Sequence, residues 1–301
     1  MSLIFDIKRY CINDGPGIRV TIFMKGCPLH CVWCHNPEGI ANHKEKLYTK
    51  KKCIGCQSCV EVCPQHALKL TRDGIVTDKS LCVLCGKCVE ECTTLAMEMS
   101  GTEYSLDYLT EQMRKEIPVI DGSGGGVTFC GGEPLMHPEM LLALLDRAAG
   151  LGLHRAVDTT LFARPELVKQ VMNCELFLVD LKLMDSEKHR FYCKVPNELI
   201  LSNIRMVSEA GHPFFIRIPL IEGVNADEEN ITKSADFLAS LPNPPEVINL
   251  LPYHDIGKNK HEKLGTVYNP DNIPMSAPSE EWQRHCLDIF KDRGLNAEIG
   301  G

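Results

Sequence analysis

No stretch of this chain approaches the roughly 18 to 20 consecutive apolar residues that cross a bilayer, so a helical membrane protein is excluded. The opening residues, Met1 to Arg9, are mixed in character and lack the apolar core of a secretory signal. A cytoplasmic chain with no membrane partner is expected. A basic excess is missing too. With 40 acidic and 32 basic residues the net charge is −8, which argues against nucleic acid as a partner. The one basic run, Lys50-Lys51-Lys52, reads first as a solvated loop; a contact for an acidic electron donor is the sharper alternative. Length sets the last bound: 301 residues, 44% hydrophobic, suffice for one large domain and a small insert.

Cysteine, by contrast, is abundant. Sixteen cysteines in a cytoplasmic chain read as metal ligands before disulfides. Cys27, Cys31 and Cys34 form C-x3-C-x2-C, followed by His35-Asn36-Pro37. Cys53, Cys56, Cys59 and Cys63 form C-x2-C-x2-C-x3-C-P, and Cys82, Cys85, Cys88 and Cys92 repeat the spacing without the proline. At this cysteine content, three more at fixed offsets arise by chance roughly once per ten thousand starting cysteines. Both four-cysteine runs have the ligand spacing of a two-cluster bacterial ferredoxin, where the fourth cysteine of each run serves the other cluster. On that logic Cys53, Cys56, Cys59 and Cys92 hold one cubane, and Cys82, Cys85, Cys88 and Cys63 the other. The first triplet leaves one iron of a cubane without a protein ligand, open to a small molecule. One incomplete site beside two complete ones points to an enzyme that moves electrons into chemistry.

Short β-branched runs read as strands at Ile18–Phe23, Gly126–Phe129, Arg155–Val157, Leu176–Asp180, Phe214–Ile218 and Val247–Leu251. Amphipathic stretches read as helices at Pro138–Ala149, Pro165–Met172, Pro196–Ala210, Asp227–Ala239 and Ser279–Arg293. This alternation implies an α/β fold with a parallel sheet. Six strands are too few for an eight-stranded barrel, so an open or partial (β/α)6-type barrel is expected over residues 1–43 and 102–301. Residues 44–101 break the rhythm. They hold the near-repeat CIGCQSCVEVCP and CVLCGKCVEECT and little else that forms a core, so they read as a metal-dependent insert.

Polar motifs fall where the predicted strands end: Gly131-Gly132-Glu133-Pro134, Asp158-Thr159, Asp180-Leu181-Lys182, Arg217, and Tyr253-His254. In barrel-like α/β folds that rim carries the active site. Each has an ordinary reading: a turn for Gly-Gly-Glu-Pro, a helix cap for Asp158, a solvated helix start for Lys182, a structural loop histidine for His254. Arg217 inside an apolar strand is different, because a buried guanidinium demands an anionic partner. Cys11, Cys130, Cys174, Cys193 and Cys286 have no ligand spacing and are taken as buried or incidental thiols.

The segment CPLHCVWCHNPE resembles the cluster motif of the radical S-adenosylmethionine (SAM) enzymes, and Asp14-Gly15-Pro16-Gly17-Ile18-Arg19 is similar to the signature of glycyl-radical enzyme activating enzymes. That family includes the pyruvate formate-lyase activase. The ferredoxin-like insert, VTFCGGEPL and LLPYHDIGKNKHEKLG resemble its subgroup with two extra clusters. The resemblance runs from Cys11 to Gly265.

The resemblance implies an oxygen-sensitive oxidoreductase: a radical SAM barrel with an inserted domain carrying two [4Fe-4S] clusters. It implies reductive cleavage of SAM and abstraction of a hydrogen atom from a backbone glycine of a partner glycyl-radical enzyme. A flavodoxin- or ferredoxin-type donor would supply the electron. Cys27, Cys31 and Cys34 would ligate the catalytic cluster, the third of three, whose open iron SAM would chelate. Trp33 would contact the adenine, and His35 would join the SAM-binding set. Gly132 and Glu133 would lie beside the methionine amino group, Lys182 and Arg217 on the carboxylate side, and His254 at the adenosyl portion. Asp158, Thr159 and Asp180 match positions that bind a monovalent cation. Asp14 matches the aspartate that touches the partner's glycine loop. Some positions depart from the family pattern: Cys130 stands where Ser is common, Cys193-Lys194 where Thr-Gly is common, and Thr93 where proline ends the second run. Two other readings compete: a radical SAM enzyme with a different substrate, and an iron–sulfur electron carrier. Structural zinc fits poorly, since a closed zinc site takes four ligands and the first site offers three cysteines.

Overall fold

The computed structural model describes residues 3–300. The chain opens with β1 (Leu3–Cys11) and β2 (Arg19–Met24). Short elements follow: β3 (Glu45–Tyr48), α1 (Ser58–Glu61), β4 (Leu68–Thr71), β5 (Gly74–Thr77), α2 (Lys87–Glu90) and β6 (Met97–Ser100). Next come β7 (Thr102–Glu103), α3 (Leu106–Lys115), α4 (Ile117–Asp121), β8 (Gly126–Gly131) and α5 (Pro138–Gly150). Strands and helices then alternate through β9 (His154–Thr159), α6 (Pro165–Val171), β10 (Leu176–Asp180), α7 (Ser186–Cys193), α8 (Glu198–Glu209) and β11 (Phe214–Leu220). The chain closes with α9 (Glu228–Ala239), β12 (Val247–Pro252), α10 (Gly257–Leu264), α11 (Glu280–Lys291) and β13 (Ala297–Ile299). No helix among the described residues is long and apolar enough to cross a membrane.

The main sheet has nine strands in the order β13-β12-β11-β10-β9-β8-β2-β1-β7. Every pairing from β2 to β13 is parallel, while β1 runs antiparallel to both of its neighbours. β13 and β7 are opposite edges, so the sheet is open. All six expected strands form, in sequence order across the sheet. β13 adds a seventh parallel strand that pattern reading misses, because three residues are too few to show alternation. β1 is missed because Asp6, Lys8 and Arg9 interrupt its apolar residues.

Two faces of the sheet separate structure from chemistry. The helix-covered face carries the main core, including Val157, Phe177, Val179, Ile216 and Ile218, all buried. Alternation along the strands turns their neighbours to the other face. There Ala156, Leu176, Leu178 and half-buried Phe215 form a small apolar floor. One step further along the same strands come Asp158, Asp180 and Arg217, with Asp180 paired in register to Arg217. Helix starts are fixed locally: the side chains of Ser105, Asp185, Asp227 and Ser279 each accept from a first-turn N–H.

Residues 45–100 form two two-stranded sheets, β3-β6 and β4-β5, outside the main sheet. Their core is slight: Leu68, Ile75 and Met97 with Cys59 and Cys88. A fully buried ammonium fastens this segment to the main sheet. Lys25, just past β2, donates to the Glu38 carbonyl (2.5 Å) and to Glu45 Oε2 (2.9 Å), and reaches Ser100 Oγ at 3.5 Å.

Candidate functional site

The carboxyl ends of the strands surround one cavity of about 490 Å³. Its lining contains Cys27, Cys31 and Cys34 along with Asp14, Trp33, His35, Gly132, Asp158, Thr159, Asp180, Lys182, Arg217 and His254. Of the residues expected at the catalytic centre, Glu133 alone is missing from that wall.

The cysteine loop leaves β2 and is clamped from two sides. His30 N–H donates to the Cys193 carbonyl (3.0 Å) and Val32 N–H to that of Tyr192 (3.1 Å), at the end of α7. On the other side Lys260 of α10 donates to Asn36 (2.6 Å) and pairs with Glu38 (2.9 Å). The loop after β8 packs against the same turn. A Cβ on Gly132 would lie 2.2 Å from the Gly26 carbonyl and 2.4 Å from that of Gly39, so only glycine fits.

Glu133 is a correction to the sequence reading. It is fully buried, and both carboxylate oxygens are used inside the protein. Oε1 accepts from Thr159 Oγ1 (2.6 Å) and Leu135 N–H (3.2 Å), Oε2 from Thr160 N–H (2.8 Å) and Oγ1 (2.6 Å). Glu133 therefore ties the loop after β8 to the loop after β9 rather than facing a ligand.

At Asp158 and Asp180, where a monovalent cation is expected, Arg217 meets both carboxylates. Its Nη2 lies 2.6 Å from both Asp158 oxygens, and its Nε donates to Asp180 Oδ1 at 3.3 Å. Lys182 Nζ donates to Asp180 Oδ2 at 2.8 Å. Thr159 turns away, towards Glu133. Asp158, Arg217, Asp180 and Lys182 thus make a row of alternating acid and base, in which burial raises Asp158 to about 7 against the pull of Arg217. Burial alone would lower Arg217 and Lys182, yet the aspartates outweigh it and raise both, so the two stay charged. Burial would raise Asp180, but Lys182 and Arg217 hold it below the ordinary carboxylate range. Lysine has three donors and arginine five, so each cation keeps N–H groups free at the cavity wall after these bonds.

The three thiols do not share one environment. Burial raises Cys27, and pushes Cys34 up to about 12. Cys31 is lowered, first by a hydrogen bond from Cys193 and then by the charge of Lys182 against its own burial. Sequence reasoning missed Cys193. It is fully buried, packs with Cys27 and Cys31, and sits behind the cavity wall rather than in it. Its unusual place at the Thr-Gly position was the available signal; its distance in sequence hid the contact. Cys130, also set aside as incidental, lines the cavity.

The rim is formed by His35 and His254, whose rings stack at 4.0 Å and 18°. Burial, then His254, lowers His35 to about 4, so its ring is neutral at neutral pH. Asp14 stands at the opposite lip. Thr21 Oγ1 donates to its carboxylate (2.7 Å), and Thr128 Oγ1 to its carbonyl (2.6 Å). Arg19, fully buried, holds the preceding turn through Thr128 Oγ1 (2.6 Å) and the carbonyls of Pro16 (2.8 Å) and Val127 (2.7 Å).

The eight cysteines of the two four-cysteine runs gather in two recesses. One is lined by Cys53, Cys56, Cys59 and Cys92, the other by Cys63, Cys82, Cys85 and Cys88. This is the crossed grouping expected from the spacing. Several sulfurs already accept N–H or O–H bonds: Cys63 from Ala67 (3.3 Å), Cys92 from Met97 (3.4 Å) and Cys56 from Ser58 (3.5 Å). Donors of this kind lower Cys56, and lower Cys92 against its burial. Yet no three His, Cys, Asp or Glu side chains among the described residues converge on a single ion. Four thiols line each recess and three line the cavity, the donor numbers that two closed and one open cubane would need.

Comparisons with known proteins give the same direction. The family model described as Radical SAM superfamily matches residues 21–235. The chain is 41% identical over 303 residues to the trans-4-hydroxy-L-proline dehydratase activating enzyme of Clostridioides difficile, covering 99% of each. It is 38% identical to the choline trimethylamine-lyase activating enzyme of Oleidesulfovibrio alaskensis (strain ATCC BAA-1058 / DSM 17464 / G20), over 93% of this chain and 92% of that one. Among solved structures, a domain of pyruvate-formate lyase-activating enzyme from Bacteroides vulgatus ATCC 8482 matches at 60% identity and a TM-score of 0.52, over 59% of this chain and 100% of that one.

Proposed function

This chain belongs to the radical SAM superfamily and, within it, to the activating enzymes of glycyl-radical enzymes, and we propose that it performs this activation with three [4Fe-4S] clusters, one of them binding SAM. It is an oxidoreductase acting on a partner protein. The observation that carries this reading is one cavity whose wall combines three thiols, the Asp158–Arg217–Asp180–Lys182 row and Asp14. When bound, the cluster and SAM supply one-electron cleavage of a sulfonium C–S bond, whose 5′-deoxyadenosyl radical removes a hydrogen atom from a backbone glycine of the partner.

The other roles belong to side chains. Cys27, Cys31 and Cys34 hold the catalytic cluster and leave one iron for SAM. Lys182 and Arg217 turn their spare N–H donors towards the SAM carboxylate, while Asp158 and Asp180 fix their direction. Trp33 and the stacked His35 and His254 border the adenosyl portion. Gly132 keeps the wall close to the cysteine loop. Leu29, Ile221 and Leu251 keep water from the reacting centre. Asp14, held by Thr21 and Thr128, accepts N–H donors from the partner's glycine loop.

We read residues 44–101 as a ferredoxin-type insert in a partial barrel, whose described residues are 3–43 and 102–300. The two thiol recesses support two further [4Fe-4S] clusters there. A flavodoxin- or ferredoxin-type protein delivers the electron. The test is electron paramagnetic resonance of a glycyl-radical enzyme from the same organism, mixed anaerobically with this protein, SAM and dithionite. A doublet that simplifies on α-deuteration of glycine is expected, and Asp14→Ala keeps SAM binding while losing most of the doublet. Deoxyadenosine formed by taking a hydrogen atom from a small molecule, with every such partner silent, refutes the assignment.

A further inference from the structure

Strand β3 touches both thiol recesses with alternate residues. Lys46 and Tyr48 project to one face, paired in register with Met99 and Met97 of β6. Lys46 and Met99 line the recess of Cys63, Cys82, Cys85 and Cys88. Tyr48 and Met97 line that of Cys53, Cys56, Cys59 and Cys92. One strand therefore presents one polar head to each recess, and the two heads differ in kind.

Tyr48 is a neutral donor with its acceptor side satisfied. Its hydroxyl oxygen accepts from Ile75 N–H at 3.0 Å, which leaves its proton free for the recess that it lines with Cys53. Lys46 is a cation with no hydrogen-bond partner in the protein, although its Nζ is fully buried. An ammonium withdrawn from water without an acceptor is strongly disfavoured. The thiols beside it remove the contradiction, since a thiolate-ligated cubane offers negative sulfurs to all three N–H groups. Exposed side chains have the same sense: Lys87 lines the Lys46 recess and Glu91 lines the other. Solvent screens those two, so Lys46 dominates.

We infer that Lys46 donates its charge to the cluster held by Cys63, Cys82, Cys85 and Cys88, and so makes it the more easily reduced of the two clusters in the insert. This rests on the reading that the insert binds two [4Fe-4S] clusters. Reduction adds one electron and no proton to a cluster, so the added negative charge is stabilised by a neighbouring ammonium more than by a phenol; net charge and hydrogen bonds to sulfur both set such potentials. An electron passed from the external donor into the insert then rests first beside Lys46.

The experiment uses the full-length chain with Cys27, Cys31 and Cys34 replaced by Ala, so that the insert's clusters alone are read. Iron content reports the two-cluster reading, and potentiometric titration followed by electron paramagnetic resonance reports the lysine. Two separate couples are expected, and Cys53→Ala abolishes the lower one. Lys46→Met should weaken reduction of the upper couple at least tenfold, about 59 mV for one electron. Lys46→Arg should restore it, and Tyr48→Phe should move only the lower couple. Should Lys46→Met shed iron, Lys46→Gln set against Lys46→Arg reads the charge instead. Equal couples in the parent chain, an upper couple assigned to the Tyr48 side, or a neutral Lys46 variant with both clusters and unmoved potentials each overturn the inference. Iron for only one cluster in the parent chain refutes the two-cluster reading instead.

Discussion

Arg217 offers a test that separates holding the site together from binding in it. Arg217→Met removes a guanidinium that meets both oxygens of Asp158 at 2.6 Å and Asp180 at 3.3 Å. Two carboxylates then remain with Lys182 alone. Breaking a buried pair from one side costs about 3–5 kcal/mol. The side chains of Arg217, Asp158 and Asp180 are 17%, 15% and 24% exposed, so residual water places the cost at the lower end. About 3 kcal/mol corresponds to a fall in Tm of roughly 5 °C for a chain of this size, at about 2.1 cal/mol/K of unfolding entropy per residue. Adding Asp158→Asn removes the stranded charge and should return most of that loss, with a coupling energy well above the few tenths expected of independent sites. SAM affinity should not return. It depends on the spare guanidinium donors, and a charge-assisted bond contributes about 1.5–3 kcal/mol, roughly 10- to 150-fold in Kd. Anaerobic thermal denaturation and calorimetric SAM titration of the single and double variants give all four numbers. A single variant that loses less than about 1 kcal/mol, or a double variant that regains SAM affinity together with stability, refutes the arrangement.

Three other expectations are simpler to check. The reconstituted protein should contain roughly twelve irons and the Cys27, Cys31, Cys34 triple alanine variant roughly eight, by iron and sulfide analysis; zinc in the insert would contradict this. Cys193→Ala should keep the iron content but lower the potential of the catalytic cluster, because Cys31 loses a hydrogen bond to its sulfur, and Cys193→Ser should restore part of it; an unmoved potential removes Cys193 from the site. Burial lowers His154, His189 and His212. These rings are neutral when folded and protonate on unfolding, so stability is full above about pH 6.5 and falls as the pH drops below it. Urea midpoints on either side of that value should differ, and equal midpoints would contradict it.

Much of this was legible in the chain because the informative signals are local. Cysteine spacing is a property of neighbours, and it foretold both the open triplet and the crossed recesses. Strand-end motifs are local too, and the parallel sheet brings them to one rim. What the sequence withheld depends on register and on distance. Arg217 bridges Asp158 and Asp180 only because three adjacent strands align at that level. Glu133 looks like a rim carboxylate until two threonines of the next loop claim both its oxygens. Cys193 meets Cys31 because the end of α7 clasps the cysteine loop, and no spacing rule spans that separation. β13 rests on three residues, below the length at which alternation carries information.

The ammonium of Lys25 bears on how such chains can be shortened. A segment bounded by Asn42 and Thr102 invites excision, since a short linker could rejoin the flanking strands. Cutting there would take away Glu45 and Ser100, two of the three groups that Lys25 meets, two residues ahead of Cys27. The Glu38 carbonyl would be its one remaining partner. A minimal enzyme made by deletion therefore inherits a stranded charge at the root of its catalytic loop, and a neutral residue at position 25 becomes part of the graft.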